Sequence, residues 1–190
     1  MTTKQKRCAW VSEDDTLMVK YHDKEWGVPL YNDKSIFEFL CLESFQAGLS
    51  WKTILNKREK FKKAFANFNP VLVSKFTIKD FNRLMNDKGI VRNRMKIEAA
   101  INNASRFIEV KKEFGTFSKY MWGFVNNRPI INTIRTIKDY KPINNEAIIF
   151  AKDLKKRGFK FLGPTTLYAH MQAVGMVNDH MTECFKKQAR

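Results

Sequence analysis

The sequence has little of what marks an exported or membrane protein. Only three of its 190 residues are cysteines. No apolar run approaches the ~20 residues that span a bilayer. The N-terminal stretch MTTKQKRCAW is basic but has no apolar segment behind it, so no secretory signal is predicted. We therefore expect no disulfide framework and no membrane partner. A reducing, cytoplasmic location is predicted.

Acidic residues are scarce relative to basic ones. The chain has 19 Asp and Glu against 35 Lys and Arg, a formal net charge of +16. Such charge favours a nucleic-acid partner, because each neutralised phosphate releases counterions. The alternative is a lysine-rich surface that is only solvated. Because the basic residues are spread along the chain, folding would have to assemble any nucleic-acid surface.

The chain also lacks internal repeats, low-complexity linkers and alternating strand patterns. Its apolar spacing is helical almost throughout, and 16 phenylalanines supply a core. We therefore predict an all-α fold, with residues 1–190 forming a single helical domain or two small lobes that share a core. The exception is the stretch 126–143, where Pro129, Pro142 and β-branched residues predict an extended connection.

Local signals predict where the helices begin and end. Helix starts are predicted at Asp33, at Ser50 and at a capping box of Thr77 with Asp80. Left-handed caps are predicted at Gly158 and Gly175, and a final short helix near Asn178.

One carboxylate falls on an apolar helical face. In FLCLESFQAGLSW, Glu43 shares its face with Ile36, Leu40 and Ala47. An acid there must be paired, hydrogen-bonded or kept protonated. It could cap a neighbouring helix or pair with a buried arginine. The nearby Gln46 and Trp51 favour instead a pocket for a planar, cationic nitrogenous base.

Two cysteines and two histidines lie near opposite ends of the chain, at Cys8, His22, His180 and Cys184. The last two are four residues apart and would face one point from a single helical turn. The four residues could fill a closed tetrahedral site, which is typical of structural zinc. The open alternatives are ordinary buried residues, or a disulfide between Cys8 and Cys184.

The stretch KKRGFKFLGPTTLYAHMQAVG combines a basic helix end, a turn from Gly158 to Gly163 and a helix that starts at Pro164. Backbone N–H groups at the start of that helix could bind a phosphate. Positive charge would come from Lys155, Lys156, Arg157 and Lys160. The alternative is a plain helical hairpin with solvated basic residues.

Four long stretches, with Cys184 after them, carry a resemblance over nearly the whole chain: CAWVSEDDTLMVKYHDKEWGVP, CLESFQAGLSWKTILNKRE, GIVRNRMKIEAAINNA and KKRGFKFLGPTTLYAHMQAVGMVNDH. They resemble the 3-methyladenine DNA glycosylase I (TAG-type) family of base-excision repair enzymes. The resemblance implies a two-lobed helix–hairpin–helix glycosylase fold with a cleft between the lobes. It also implies an enzyme that flips 3-methyladenine out of alkylated double-stranded DNA and hydrolyses its N-glycosidic bond.

The resemblance assigns roles by position. One structural zinc ion would be bound by Cys8, His22, His180 and Cys184, joining the N- and C-terminal segments. Glu43 would be the catalytic pocket carboxylate. The substrate-binding residues would be Tyr21, Trp51, Trp10 and Gln46, with Trp26 in the pocket or the core. The hairpin residues that contact DNA would be Gly158, Lys160, Gly163 and Thr165.

Four further positions differ from the family pattern or have no role assigned by it. Met18 stands where the family often has another pocket tyrosine, so the pocket wall could be rebuilt or the adjacent loop shifted. Many helix–hairpin–helix relatives carry a catalytic Asp near the position of Asp179, but this residue precedes His180 and is interpreted as a supporting or capping residue. Lys160 lies in the hairpin and not in the pocket, so a monofunctional enzyme is predicted. A monomer is also expected. Cys41 is interpreted as buried helix filler.

Two other function classes stay open. A non-catalytic DNA-binding module with the same zinc site would share the charge, the hairpin and the metal ligands. It would have no reason to bury Glu43, Trp51 and Tyr21 together. A binder of small bases or nucleosides would not show strong, salt-dependent binding to duplex DNA.

Overall fold

The computed structural model describes residues 5–188, and most of them are helical. The helices are α1 Thr16–Lys24, α2 Asp33–Gln46, α3 Trp51–Ala64, α4 Pro70–Val73, α5 Ile78–Asn86, α6 Arg94–Phe114, α7 Phe117–Gly123, α8 Asn145–Lys156, α9 Pro164–Ala173 and α10 Phe185–Gln188. Single 3₁₀ turns occupy Ala66–Phe68 and Ile137–Asp139. Within the described range, no helix has the length and apolar character needed to cross a bilayer.

All three predicted helix starts are confirmed, and α2 begins at Asp33 itself. Ser50 accepts a hydrogen bond from the Thr53 N–H, and Thr77 with Asp80 forms the predicted capping box. The cap of α2 is Asn32, and Asp33 is the first residue of that helix. The Asp33 carboxylate instead accepts hydrogen bonds from the first N–H groups of α7, at 3.0 and 3.3 Å. It therefore ties two helices together and does not cap its own.

Helix α2 is the centre of the packing, with neighbours α3, α6, α7 and α9. Most of its side chains are buried, and Phe37 packs edge-on against Phe107 of α6 at a centroid distance of 5.2 Å. The Lys96 ammonium group, on α6, donates to the carbonyl oxygens of Phe45 and Ala47. A cation at this position complements the negative end of the α2 dipole. The helix that carries Glu43 is thus fixed at both ends.

The predicted α-helical class is confirmed in that most described residues are helical, and the structure adds one short parallel ladder. Strand β1, Ile130–Ile131, pairs with β2, Val177–Asn178, and an isolated bridge joins Ile134 to Met181. The 126–143 connection contains no α-helix and is extended in part, with a 3₁₀ turn at Ile137–Asp139, and its β-branched residues pair with a distant segment. The final helix predicted near Asn178 is wrong, because that segment is the partner strand and α10 begins only at Phe185.

Backbone hydrogen bonds join the turn between α1 and α2 to the end of α9. The N–H of Gly27 donates to Gln172 O at 2.9 Å, and that of Leu30 donates to Val174 O at 3.0 Å. Gly175 ends α9 with a φ of +74°, as its left-handed cap predicted. A Cβ atom on Gly175 would lie 2.4 Å from the backbone of Val28 and Pro29. Only glycine permits this approach, which brings α1 and α9 to the same cavity.

Candidate active site

A cavity of about 230 Å³ lies between α1, the C-terminal half of α2, the start of α3 and α9. Its lining residues are Trp10, Met18, Tyr21, Trp26, Glu43, Gln46, Trp51, Tyr140, Ala169 and Gln172. Drug-sized ligands occupy pockets of roughly 300–1,000 Å³. This smaller space, with its aromatic wall, suits one planar ring system.

Glu43 is the acid of this cavity, and it is 4% exposed. Among the described residues, none forms a hydrogen bond or an ion pair with its carboxyl group. Burial without a cationic neighbour raises the pKa of Glu43 to about 8. The interpretations in which Glu43 caps a helix or pairs with a buried arginine are therefore wrong. A buried acceptor faces a cavity and has no partner there.

Aromatic rings surround the carboxyl group. The Tyr21 and Trp51 rings lie 5.3 Å apart and are tilted by 50°, and Trp10 packs edge-on against Trp26 at 4.9 Å. Burial, with a further contribution from the Glu43 charge, raises the pKa of Tyr21, so its hydroxyl group keeps its proton. Flat faces beside an acidic acceptor are suited to bind a cationic aromatic base.

The four predicted metal ligands form one buried cluster. The ligand atoms of Cys8, His22, His180 and Cys184 all lie within 4.8 Å of one another. The sulfur-to-nitrogen distances are 3.4 Å from Cys184 to His22 Nε2 and 3.6 Å from each cysteine to His180 Nδ1. A tetrahedral zinc ion with ordinary bond lengths places sulfur and nitrogen ligands about 3.5 Å apart. The donor set and its spacing therefore fit a metal ion.

Supporting contacts hold both imidazole rings. His22 Nδ1 lies 2.7 Å from the Asp23 carboxylate, and His180 Nε2 lies 3.2 Å from Trp26 O. Asp23 in turn accepts hydrogen bonds from Arg7, at 2.7 Å from Nη2. Metal-bound histidines typically donate their second ring N–H to a carboxylate or carbonyl in this way. The arrangement fixes which nitrogen of each ring faces the cluster.

The cluster differs from the sequence expectation in its backbone. His180 and Cys184 do not share a helical turn, because the chain from 179 to 184 is a non-helical turn in which Cys184 N–H donates to Met181 O at 2.8 Å. The cysteines are free, so the alternative of a Cys8–Cys184 disulfide is wrong. The two sulfur atoms lie within 4.8 Å of each other, and this closeness lowers the pKa of Cys184 and raises that of Cys8.

The basic hairpin is formed by α8, the connection 157–163 and α9. Gly158 has a φ of +84°, as predicted for a left-handed cap. Asn103 on α6 holds the turn, since it accepts from the Lys160 N–H at 2.8 Å and donates to Lys160 O at 2.9 Å. Arg157 pairs with Glu113 and Asp153, so its charge is already matched.

These contacts narrow the predicted phosphate site. The Lys160 N–H is already used, so Lys160 can contribute only its side chain. Within residues 5–188, no hydrogen bond uses the N–H groups of Gly163 and Thr165 at the start of α9. Free N–H groups at a helix N-terminus are suited to bind an anion. Thr165 is exposed and Gly163 carries no side chain that could block the approach.

Comparison of the sequence with known proteins identifies a family. A family model described as methyladenine glycosylase covers residues 10–187. The chain belongs to the methyladenine glycosylase family. It is 42% identical to the DNA-3-methyladenine glycosylase of Haemophilus influenzae over 184 residues, 97% of each chain. It is 44% identical to DNA-3-methyladenine glycosylase 1 of Escherichia coli over 178 residues, 94% of this chain and 95% of that one.

Solved structures agree with the sequence comparison. One is a tyrosine-to-phenylalanine variant of 3-methyladenine DNA glycosylase I (TAG) in complex with 3-methyladenine. It superposes with a TM-score of 0.92 at 39% identity, covering 95% of this chain and 97% of its own. The resemblance to the TAG-type family is therefore confirmed.

In this methyladenine glycosylase, all five residues predicted for the base pocket line one cavity, although their roles stay predictions: Glu43, Tyr21, Trp51, Trp10 and Gln46. Trp26 lines the cavity and is also 7% exposed, so both interpretations of it hold. Met18 lies on the cavity wall, which favours a rebuilt wall over a displaced loop. Cys41 is buried, as predicted for helix filler.

Sequence reasoning missed three residues of the cavity wall, namely Tyr140, Ala169 and Gln172. Ala169 and Gln172 are three residues apart on α9 and share a face. That spacing was available, but nothing local distinguished it from core packing. Tyr140 comes from the extended connection, and only the tertiary fold places it beside Trp10.

Proposed function

We propose that the cavity receives one alkylated adenine extruded from duplex DNA, and that the enzyme hydrolyses its N-glycosidic bond in base-excision repair. The observation that carries this proposal is the unpaired, buried Glu43 carboxyl group inside an aromatic cavity. Such an acid is costly to bury and is useful only when a cation arrives. Alkylation at N3 makes adenine cationic, which supplies that partner.

Recognition would be shared between the acid and the rings. Glu43 accepts hydrogen bonds from the base edge and stabilises its positive charge. Trp51 and Tyr21 stack on its face, a contact worth about 1–3 kcal/mol per base. A cation–π contribution of about 0.5–2 kcal/mol would disfavour neutral, undamaged adenine. The cavity thereby selects for charge as well as for shape.

The chemical step needs little acid catalysis, because a cationic base is already a good leaving group. Extrusion places the nucleotide in the cavity. Water then bonds to C1′ of the sugar and loses a proton to solvent, while the N-glycosidic bond breaks with its electron pair remaining on the departing, now neutral base. None of the residues that line the cavity is a lysine. A Schiff base at C1′ is therefore not expected, and borohydride should trap no covalent complex with DNA.

The Cys–His cluster would support the cavity, and the hairpin would hold the protein on DNA. Cys8, His22, His180 and Cys184 bind one zinc ion, which takes no part in the reaction and ties both chain ends to the wall of the cavity. The helix–hairpin–helix element binds a DNA phosphate through the N–H groups of Gly163 and Thr165, with charge from Lys160 and the close backbone approach allowed at Gly158. One monomer, with two lobes around the cleft, is sufficient for the activity.

The test is release of 3-methyladenine from methylated duplex DNA by the native chain and by Glu43→Gln. The native chain should release free base, and the variant should release at least ten-fold less because it cannot carry the negative charge. Duplex binding at several salt concentrations serves as the control, and it should be equal for the two proteins. Tight duplex binding without base release by the native chain would mean a DNA-binding relative that has lost the chemistry.

A further inference from the structure

Asp179 is a buried acid that does not reach the cavity. It is 1% exposed and is absent from the cavity wall. Its carboxylate accepts three hydrogen bonds, from Asn132 Nδ2 at 2.7 Å, the Tyr168 hydroxyl group at 2.8 Å and Gln172 Nε2 at 2.7 Å. A carboxylate committed to three donors inside the protein cannot approach the sugar of a substrate. Of these three donors, Gln172 is the one that lines the cavity.

Gln172 joins this network to the cavity. Its side chain lines the cavity from α9, on the same face as Ala169. Gln172 Nε2 donates to Asp179 Oδ2, so the amide NH₂ of Gln172 faces Asp179. The carbonyl oxygen Oε1 is therefore the free end of the amide. Within residues 5–188, no hydrogen bond uses that oxygen.

We propose that Gln172 is a second base-recognition residue, with Oε1 as an acceptor for the exocyclic amino group, and that Asp179 is its positioning residue. This inference rests on the proposed function, because it takes an alkylated adenine as the occupant of the cavity. Adenine carries an amino donor at C6, whereas guanine carries a carbonyl acceptor there. An amide oxygen fixed by Asp179 attracts the first group and repels the second.

The main variant is Gln172→Leu, which keeps the volume and removes the acceptor. Its kcat/KM for 3-methyladenine release should fall at least ten-fold. Its preference for 3-methyladenine over 3-methylguanine should fall as well, because the repulsion of the guanine carbonyl is lost. The affinity for free 3-methyladenine, followed through the fluorescence of the cavity tryptophans, should fall in parallel.

Tyr168→Phe is the matched control. It removes one donor from Asp179 but leaves the Gln172 bond in place, so release and preference should change less than three-fold. Equal losses in both variants would overturn the proposal, since the effect would then come from the buried network. Unchanged release and preference in Gln172→Leu would also overturn it.

Two further measurements separate the possible failures. Metal content and thermal unfolding of each variant show whether the fold and the neighbouring His180 site are intact. Release by the native chain tests the proposed function separately. If the native chain releases 3-methyladenine and Gln172→Leu matches it in rate and preference, only the role of Gln172 is wrong. If the native chain releases nothing, the proposed function itself is wrong.

Discussion

For single residues, the clearest conflict between function and folding stability is at Glu43, whose carboxyl group suits the cavity but is costly to bury. It is buried in the aromatic cavity with no cation beside it, and its pKa is raised from 4.5 to about 8. The folded protein therefore holds a proton that the unfolded chain loses between these two pH values. The contribution of Glu43 to folding stability must therefore fall as the pH rises from about 4.5 to about 8 and then level off.

Glu43→Gln should remove this loss. Near pH 4.5 the variant and the native chain should have similar free energies of unfolding. The variant should become the more stable one as the pH rises to 8, by an amount whose upper limit is on the order of 5 kcal/mol. Urea unfolding of the DNA-free proteins at a series of pH values measures this difference.

Glu59→Gln is the control for that series. Glu59 is exposed, and its hydrogen bond to Lys62 lowers its pKa, so its shift has the opposite sign. Its replacement should not stabilise the protein as the pH rises. A constant stability difference between Glu43→Gln and the native chain across the series would show that Glu43 is already ionised in the cavity.

At the scale of secondary-structure elements, α2 positions the cavity acid through its ends. Asn32 caps its N-terminus, and the Lys96 ammonium group binds the Phe45 and Ala47 carbonyl groups at its C-terminus. Gln46 then donates to Leu49 O at 3.4 Å, in the turn that leads to Trp51. A shift of this helix end would therefore move Glu43 and Trp51 together.

Lys96→Met should lose about 1–3 kcal/mol of stability, because two carbonyl groups lose a charged donor. It should also lose base release under conditions in which it remains folded. Lys57→Met is the matched variant, since Lys57 likewise donates to two carbonyl groups, Lys88 O and Gly89 O, away from the cavity. Unfolding by urea and base release are measured for both. Equal release by the two variants would contradict the positioning role of Lys96.

At the level of the whole molecule, the Cys–His cluster joins the N- and C-terminal segments of the described chain beside the cavity. Cys8 and His22 come from the N-terminal segment, and His180 and Cys184 follow β2. His22 is adjacent to Tyr21 in the sequence, and the His180 ring packs edge-on against Trp26 at a centroid distance of 4.6 Å. Loss of the metal would therefore loosen one wall of the cavity as well as the fold.

Removal of the proposed zinc ion with a chelator should lower the Tm by roughly 10 °C or more, since a bound metal stabilises only the folded state. Metal analysis before and after treatment, with thermal unfolding, measures the effect. Cys184→Ser should behave like the treated native protein. Cys41→Ala, at a buried cysteine outside the cluster, should keep its metal and its response to the chelator. An untreated protein free of metal with an unchanged Tm would exclude a structural zinc ion.

Much of this protein was determined by local sequence. The helical periods, the Ser50 and Thr77 caps and the left-handed glycines act within a few residues, so they could be predicted directly. Glu43 was recognisable because an acid interrupts an apolar face. The motifs that resemble the TAG-type family indicated the cavity aromatics and the four ligands before any geometry was known.

The remaining features depend on contacts between segments that are far apart in the sequence. The β1–β2 ladder joins segments far apart in sequence, and neither strand is long enough to show a pattern of its own. Nor does the local sequence show that the Asp33 carboxylate accepts hydrogen bonds from the first N–H groups of α7, or that the Gln172 amide is oriented by Asp179. These roles arise from hydrogen bonds between distant segments, and such partners are set by packing and not by spacing along the chain.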